Sequence, residues 1–163
     1  MNFKEYLMLC ESLRNSVWLR GEAKGYEIGL HGSIWGTLDE EEANDYASQF
    51  QDKGGGVVKR FQLTPNAKVL EVNGDKYNLI SKLWNWTPAI EQAVRTARGD
   101  HRLAMQYMGI TPKVVNPKNW YLTEMDTGLA QKLKASGYDA AIMDKEWKGQ
   151  IVVVNMTSIN WLK

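Results

Sequence analysis

"KEWKGQIVVVNMTSI", residues 145–159, is the stretch whose reading decides the fold. Ile151, Val152, Val153 and Val154 are consecutive β-branched residues, whose stiff side chains suit a pleated, extended backbone. Such a run predicts a buried strand. At its mouth stands Gln150, preceded by Glu146, Trp147 and Gly149. Upstream, "YDAAIM" (138–143) reads as a second strand and "DKEWKG" (144–149) as the loop between the two.

Toward the N-terminus the pattern changes period. Met125, Leu129 and Leu133 lie at helical spacing, and Gly137 is placed to end that helix as a C-cap. Tyr77, Ile80 and Trp84 share a face of another helix. Thr87-Pro88 forms an N-cap with proline in the first turn, opening a helix through Ile90, Ala93, Val94 and Ala97 to about Arg98. "GITPKVVNPKNWYLT" (109–123) is a proline-marked loop. Nearer the start, "SVWLRG" (16–21) and "VVKRFQL" (57–63) read as strands, and "TPNA" (64–67) turns into a third, "KVLEV" (68–72). "TLDE" (37–40) has the spacing of a capping box, with Thr37 accepting from the first turn and Glu40 reaching back. The helix it opens carries Ala43, Tyr46, Ala47 and Phe50 on one face. Phe3, Tyr6, Leu7, Cys10 and Leu13 predict a short amphipathic helix over 3–14. Strands at both ends of a helical middle predict a single α+β domain over residues 1–163.

The totals narrow the function classes. Twenty Lys and Arg against nineteen Asp and Glu leave a net charge of +1, which supplies no general attraction to nucleic acid or anionic lipid. One cysteine excludes an internal disulfide and fits a reducing, cytoplasmic setting. With only His31 and His101 beside it, no metal-ligand spacing exists. The N-terminal stretch lacks the apolar core of a signal peptide, and no run has the length of a membrane span. Seven Trp and seven Tyr against three Phe favour half-exposed sites where flat ligands or partners bind.

Several local features read as structure. Gly54-Gly55-Gly56 lacks the Lys-Ser/Thr of a phosphate loop and precedes a strand, so it is a turn. "EEEANDY" (40–46) reads as the wet side of a helix, His101 as a solvated surface residue, and Arg95, Arg98 and Arg102, with Glu91 and Asp100 among them, as a solvated face, the alternative being a local anion, partner or nucleic-acid patch.

Residues 18–47, "WLRGEAKGYEIGLHGSIWGTLDEEEANDYA", are different. A strand ends in Arg20, Gly21 lets the chain turn, and a glycine-dotted loop leads to Trp35 and Thr37 before a helix. The set offers a cation for a phosphate or ribose, a bare backbone for close approach and an indole for stacking.

In order along the chain, Leu19-Arg20-Gly21-Glu22, Ser33-Ile34-Trp35-Gly36-Thr37 and Ala43-x-x-Tyr46-Ala47 resemble the opening of the ADP-ribosyltransferase superfamily, particularly its small bacterial and phage-type domains. "GGGVVKRFQLTPNAKVLEV" (54–72) and the ending from Gly137 through Ala140, Ala141 and Ile142 to Ile159 are similar to it as well. The resemblance covers residues 18–72 and 137–160. It implies two small packed sheets splitting around a cleft for NAD+, used as a substrate without a metal. Arg20 would contact the phosphate or ribose side, Gly21 would let the backbone reach the nicotinamide amide, Trp35 would stack near nicotinamide and Thr37 would support the loop. It further implies mono-ADP-ribosyl transfer to a macromolecule, a protein in the first place, with release of nicotinamide.

Transfer passes through a ribosyl cation, which a nearby carboxylate stabilises. The family places that glutamate at the head of the last strand pair, where this chain has Gln150. A unit charge about 4 Å from the cation is worth roughly 4 kcal/mol at an effective dielectric near 20, so an amide there slows transfer by about three powers of ten. Glu146 or Asp144 in the preceding loop are the carboxylates in reach by sequence. The other reading is a binding module on the same fold, a phage or mobile-element effector that occupies a host protein stoichiometrically in the host cytoplasm.

Overall fold

The computed structural model describes residues 4, 5, 13–25, 32–97, 101–111, 120–145 and 148–163. The described residues include seven strands and five α-helices, in the order β1 (Trp18–Ala23), β2 (Ile34–Thr37), α1 (Glu40–Ser48), β3 (Gly56–Leu63), β4 (Val69–Asn73), α2 (Lys76–Trp84), α3 (Pro88–Thr96), α4 (His101–Met108), α5 (Trp120–Ala135), β5 (Ala140–Lys145), β6 (Lys148–Val153) and β7 (Ile159–Leu162). The strands form one sheet in the order β4-β5-β6-β2-β1-β3-β7. Only β4 and β5 are parallel, a pairing that needs a long connection such as the helical crossover between them; every other described pair is antiparallel.

The valine run explains why the sheet curls. Alternation sends Val152 and Val154 to one face, where they meet Leu79, Ile80, Met125, Leu129 and Leu133 from the helices. Ile151 and Val153 go to the other face, where they meet Trp18, Ile34, Phe61 and Leu63. That second core is built mainly from the sheet itself, so the sheet must fold over to bury it.

Two packed sheets are expected from the sequence; one continuous sheet is found, and the physical reason lies at the seam. β1 and β2 share a single register pair, Leu19↔Thr37. Beyond it residues 20–23 pair with β3 and residues 34–36 with β6. The ladder therefore splits without separating the sheet into two.

Local signals account for the helix ends. Thr87 accepts from the Ile90 amide with Pro88 in the first turn, and Gly137 after α5 has a φ of +83°. The N-cap of α1 is Asp39, whose side chain accepts from the Glu41 and Glu42 amides, in place of the expected Thr37. Thr37 sits two residues earlier, inside β2, because that strand pairs as far as Gln150. Helix α4 was not expected from the pattern, although Ala104, Met105 and Met108 supply its buried stripe. The expected loop over 109–123 gives way to α5 from Trp120, and Pro112–Asn119 lie outside the described residues, as do most of 3–14.

Asp139 ties the sheet's parallel end together. Its carboxylate accepts from the Lys68 amide (2.8 Å) and the Asn155 side chain (2.7 Å), and its carbonyl from the Val154 amide (2.8 Å). The Lys68 amide bond first, then that of Asn155, holds its carboxyl below the ordinary carboxylate range. A folded-state pKa below the unfolded one gives stability that is full above the unfolded value, near 3.9, and is lost as pH falls through the folded value. Asp139→Asn is expected to lower the urea midpoint at pH 7 and to flatten its decline below about pH 4; an acid limb unchanged from wild type would count against this role.

Candidate functional site

Where the ladder splits, a cleft of about 410 Å³ opens between the two strands. Arg20, Gly21 and Glu22 from β1, Trp35 and Thr37 from β2, Glu42 and Tyr46 from α1, and Gln150 from β6 line it. Lys76 of α2 and Asp126 of α5 close one end. Five of the residues expected from sequence, Arg20, Gly21, Trp35, Thr37 and Gln150, thus share one cavity. Glu146 lies outside the described residues, and Asp144, in β5 opposite Gly149, is not among the lining residues.

Arg20 spans the split. Its Nε donates to Glu22 Oε2 (2.8 Å) and its Nη1 to the Trp35 carbonyl on the facing strand (3.2 Å). Glu22, 2% exposed, also pairs with Lys59 of β3. A buried carboxylate between two cations is costly to uncouple, so Arg20 is held at the cleft wall by a fixed charge.

Gly21 lies within β1 and makes no sharp turn. A Cβ there would overlap the Ala43 carbonyl oxygen and stand 2.7 Å from the Ala47 amide nitrogen. Gly56 of β3, also facing α1, is similarly filled by Ala47, so two bare backbones seat the helix on the sheet.

That seat brings an unexpected carboxylate into the cleft. Thr37 and Gln150 are direct cross-strand partners, so their side chains stand on one face a few ångströms apart. Thr37 Oγ1 donates to Glu42 Oε2 (2.6 Å), and Gln150 Nε2 donates to Glu42 Oε1 (3.0 Å). Thr37 Oγ1 also accepts from the Asp39 amide (3.0 Å), which fixes the direction of its proton toward Glu42. The stretch expected to be only the wet side of a helix therefore supplies a cleft residue. Its sequence signal was position, three residues after the Asp39 cap and on the turn of α1 nearest β2. Tyr46, expected on the packed face with Ala43 and Ala47, is 54% exposed at the cleft.

The Trp35 ring lies beneath the Lys76 ammonium, 4.9 Å from the centroid, and Lys76 pairs with Asp126. The buried Trp35 indole N–H meets no acceptor among the described residues. Trp35 and Tyr46, two cations and three carboxylates line one cleft, so it offers a small ligand both aromatic surface and charged groups of either sign. Among the described residues no three His, Cys, Asp or Glu side chains are grouped to hold a metal ion.

Elsewhere, Arg95 does not offer an open anion patch. It donates to both Asp75 oxygens (2.8 and 2.9 Å), to Asn78 and to Glu91. Burial pushes the Asp75 carboxyl up, but bonds from Arg95 and from the Asn78 and Tyr77 amides outweigh it and hold it below the usual range. His101 is half-buried, stacked on Tyr77 and bonded to its hydroxyl (2.9 Å), where a solvated side chain is expected. Arg98 lies outside the described residues. No described helix is long and apolar enough to cross a membrane.

No family model matches the chain, and no curated protein matches it. Among solved structures, an anti-CRISPR protein is similar to it, with 16% identity, 91% of this chain and 96% of that chain covered, and a TM-score of 0.40. That score marks a coarse similarity, below the level that establishes a shared fold.

Proposed function

We propose that the cleft binds NAD+ and that the protein transfers ADP-ribose from it to a protein target, releasing nicotinamide. The observation that carries this reading is the convergence of Arg20, Gly21, Trp35 and Thr37 with Gln150, from a distant part of the sequence, on one cavity large enough for much of a dinucleotide. In this reading Arg20 binds the phosphate or ribose side, and Trp35 stacks against the nicotinamide.

The test is release of labelled nicotinamide from NAD+ by the purified protein, followed by transfer of label to candidate extracts. Wild type is expected to do both. Arg20→Ala is expected to weaken NAD+ binding by about 10- to 100-fold, the worth of a hydrogen bond to a charged group, in a protein whose circular dichroism remains folded. A folded wild-type protein with neither release nor transfer would sink the reading. The second reading, a stoichiometric binder of a host protein, draws on the amide at Gln150 and on the exposed Tyr46 beside the cleft. It predicts a complex that forms without NAD+ and survives Arg20→Ala.

A further inference from the structure

We infer that Glu42, carried by helix α1, is the carboxylate that faces the reacting ribose, and that Gln150 and Thr37 are its positioning residues. This rests on the NAD+ reading above. Both carboxylate oxygens receive a hydrogen bond, one from the Gln150 amide at 3.0 Å and one from the Thr37 hydroxyl at 2.6 Å. Two donors on adjacent strands fix the plane of the carboxylate, and each oxygen keeps a further lone pair for a ligand hydroxyl. Glu42 is half-buried and lines the same cleft as Arg20 and Trp35.

This arrangement gives Gln150 a physical purpose that its own chemistry does not. An amide cannot supply negative charge, but its N–H donates, and a glutamate at 150 would instead set two carboxylates against each other. The charge is thus moved from the strand to the helix, and the strand keeps the donor that orients it. In the transfer step the bond from ribose C1′ to the nicotinamide nitrogen breaks, and its electron pair leaves with neutral nicotinamide. The acceptor then bonds to C1′ and gives its proton to solvent. Glu42 takes no proton in this step; its carboxylate opposes the positive charge that develops on the ribose while one oxygen accepts from a ribose hydroxyl.

The experiment is steady-state nicotinamide release by wild type and by Glu42→Gln, Glu42→Asp and Gln150→Glu variants, each checked for folding by circular dichroism. Glu42→Gln is expected to lower kcat by about a thousandfold with little change in KM, because the charge matters chiefly in the transition state. Glu42→Asp, which keeps the charge on a shorter arm, is expected to fall between. Gln150→Glu is expected to give no gain at neutral pH. A second carboxylate there repels Glu42 and removes the donor that orients it. Glu42→Gln within a few-fold of wild type, Glu42→Asp no better than Glu42→Gln, or a large gain in Gln150→Glu would each overturn the assignment while leaving the NAD+ reading standing. A folded wild type that neither binds NAD+ nor releases nicotinamide overturns both.

Discussion

Gly21→Ala is expected to cost about 3 kcal/mol of stability, the upper end of what overpacking costs. The new methyl has no rotamer by which to escape. It would overlap the Ala43 carbonyl oxygen, stand 2.7 Å from the Ala47 amide nitrogen and 2.8 Å from the Tyr46 Cβ, so it meets helix backbone on two sides. The gain from restricting the unfolded chain, about 0.4–1 kcal/mol for glycine to alanine, is too small to offset this. Gly56→Ala meets the same helix at Ala47 and is expected to behave alike. The two together should be sub-additive, because once α1 has lifted from β1 the second clash is partly relieved. Urea unfolding should show a lower midpoint with an unchanged slope. A midpoint equal to that of wild type would mean that α1 is seated less tightly. Lifting α1 also withdraws Glu42 from Gln150, so ligand binding in the cleft should weaken under conditions where the variant is still folded.

The second large effect is expected at Glu22. Breaking a buried ion pair by removing one partner typically costs about 3–5 kcal/mol, because the charge left behind has lost its compensation. Glu22→Gln leaves Arg20 and Lys59 facing an amide in place of a carboxylate. The Lys59 side chain is 40% exposed and can turn to water, which places the expected cost near the lower end, about 3 kcal/mol. Lys59→Ala, by the same exposure, should cost no more than about 1 kcal/mol. The asymmetry is the test in chemical denaturation: equal losses in the two variants would show that the pair acts as an ordinary surface bridge. Glu22→Gln also frees Arg20 from its anchor at Nε, so, on the proposed function, affinity for NAD+ in the cleft is expected to fall in this variant and to hold in Lys59→Ala.

Features set by neighbouring residues were legible in the sequence. The Ile151–Val154 run, the Thr87-Pro88 cap and the Gly137 terminator each act within a few residues, so spacing alone reports them. Four residues of β2, with Gly36 among them, carry too little pattern to distinguish a strand from a loop. The cap of α1 fell on Asp39 and not Thr37 because strand pairing with β6 claimed Thr37 first, a competition that the capping spacing does not express. The single sheet was hidden for the same reason, since one register pair at Leu19↔Thr37 decides whether two halves join.

By itself the sequence determined an α+β chain with a buried terminal strand pair, and it named the cation, indole, hydroxyl and amide that line the cleft. Tertiary structure alone decided what those groups surround. Glu42 and Gln150 are 108 residues apart, and they meet because β2 pairs with β6 and because Gly21 and Gly56 let α1 lie close on the sheet. Helical and strand periods record which way a side chain points from its own element. They hold no record of which carboxylate another element will bring to it.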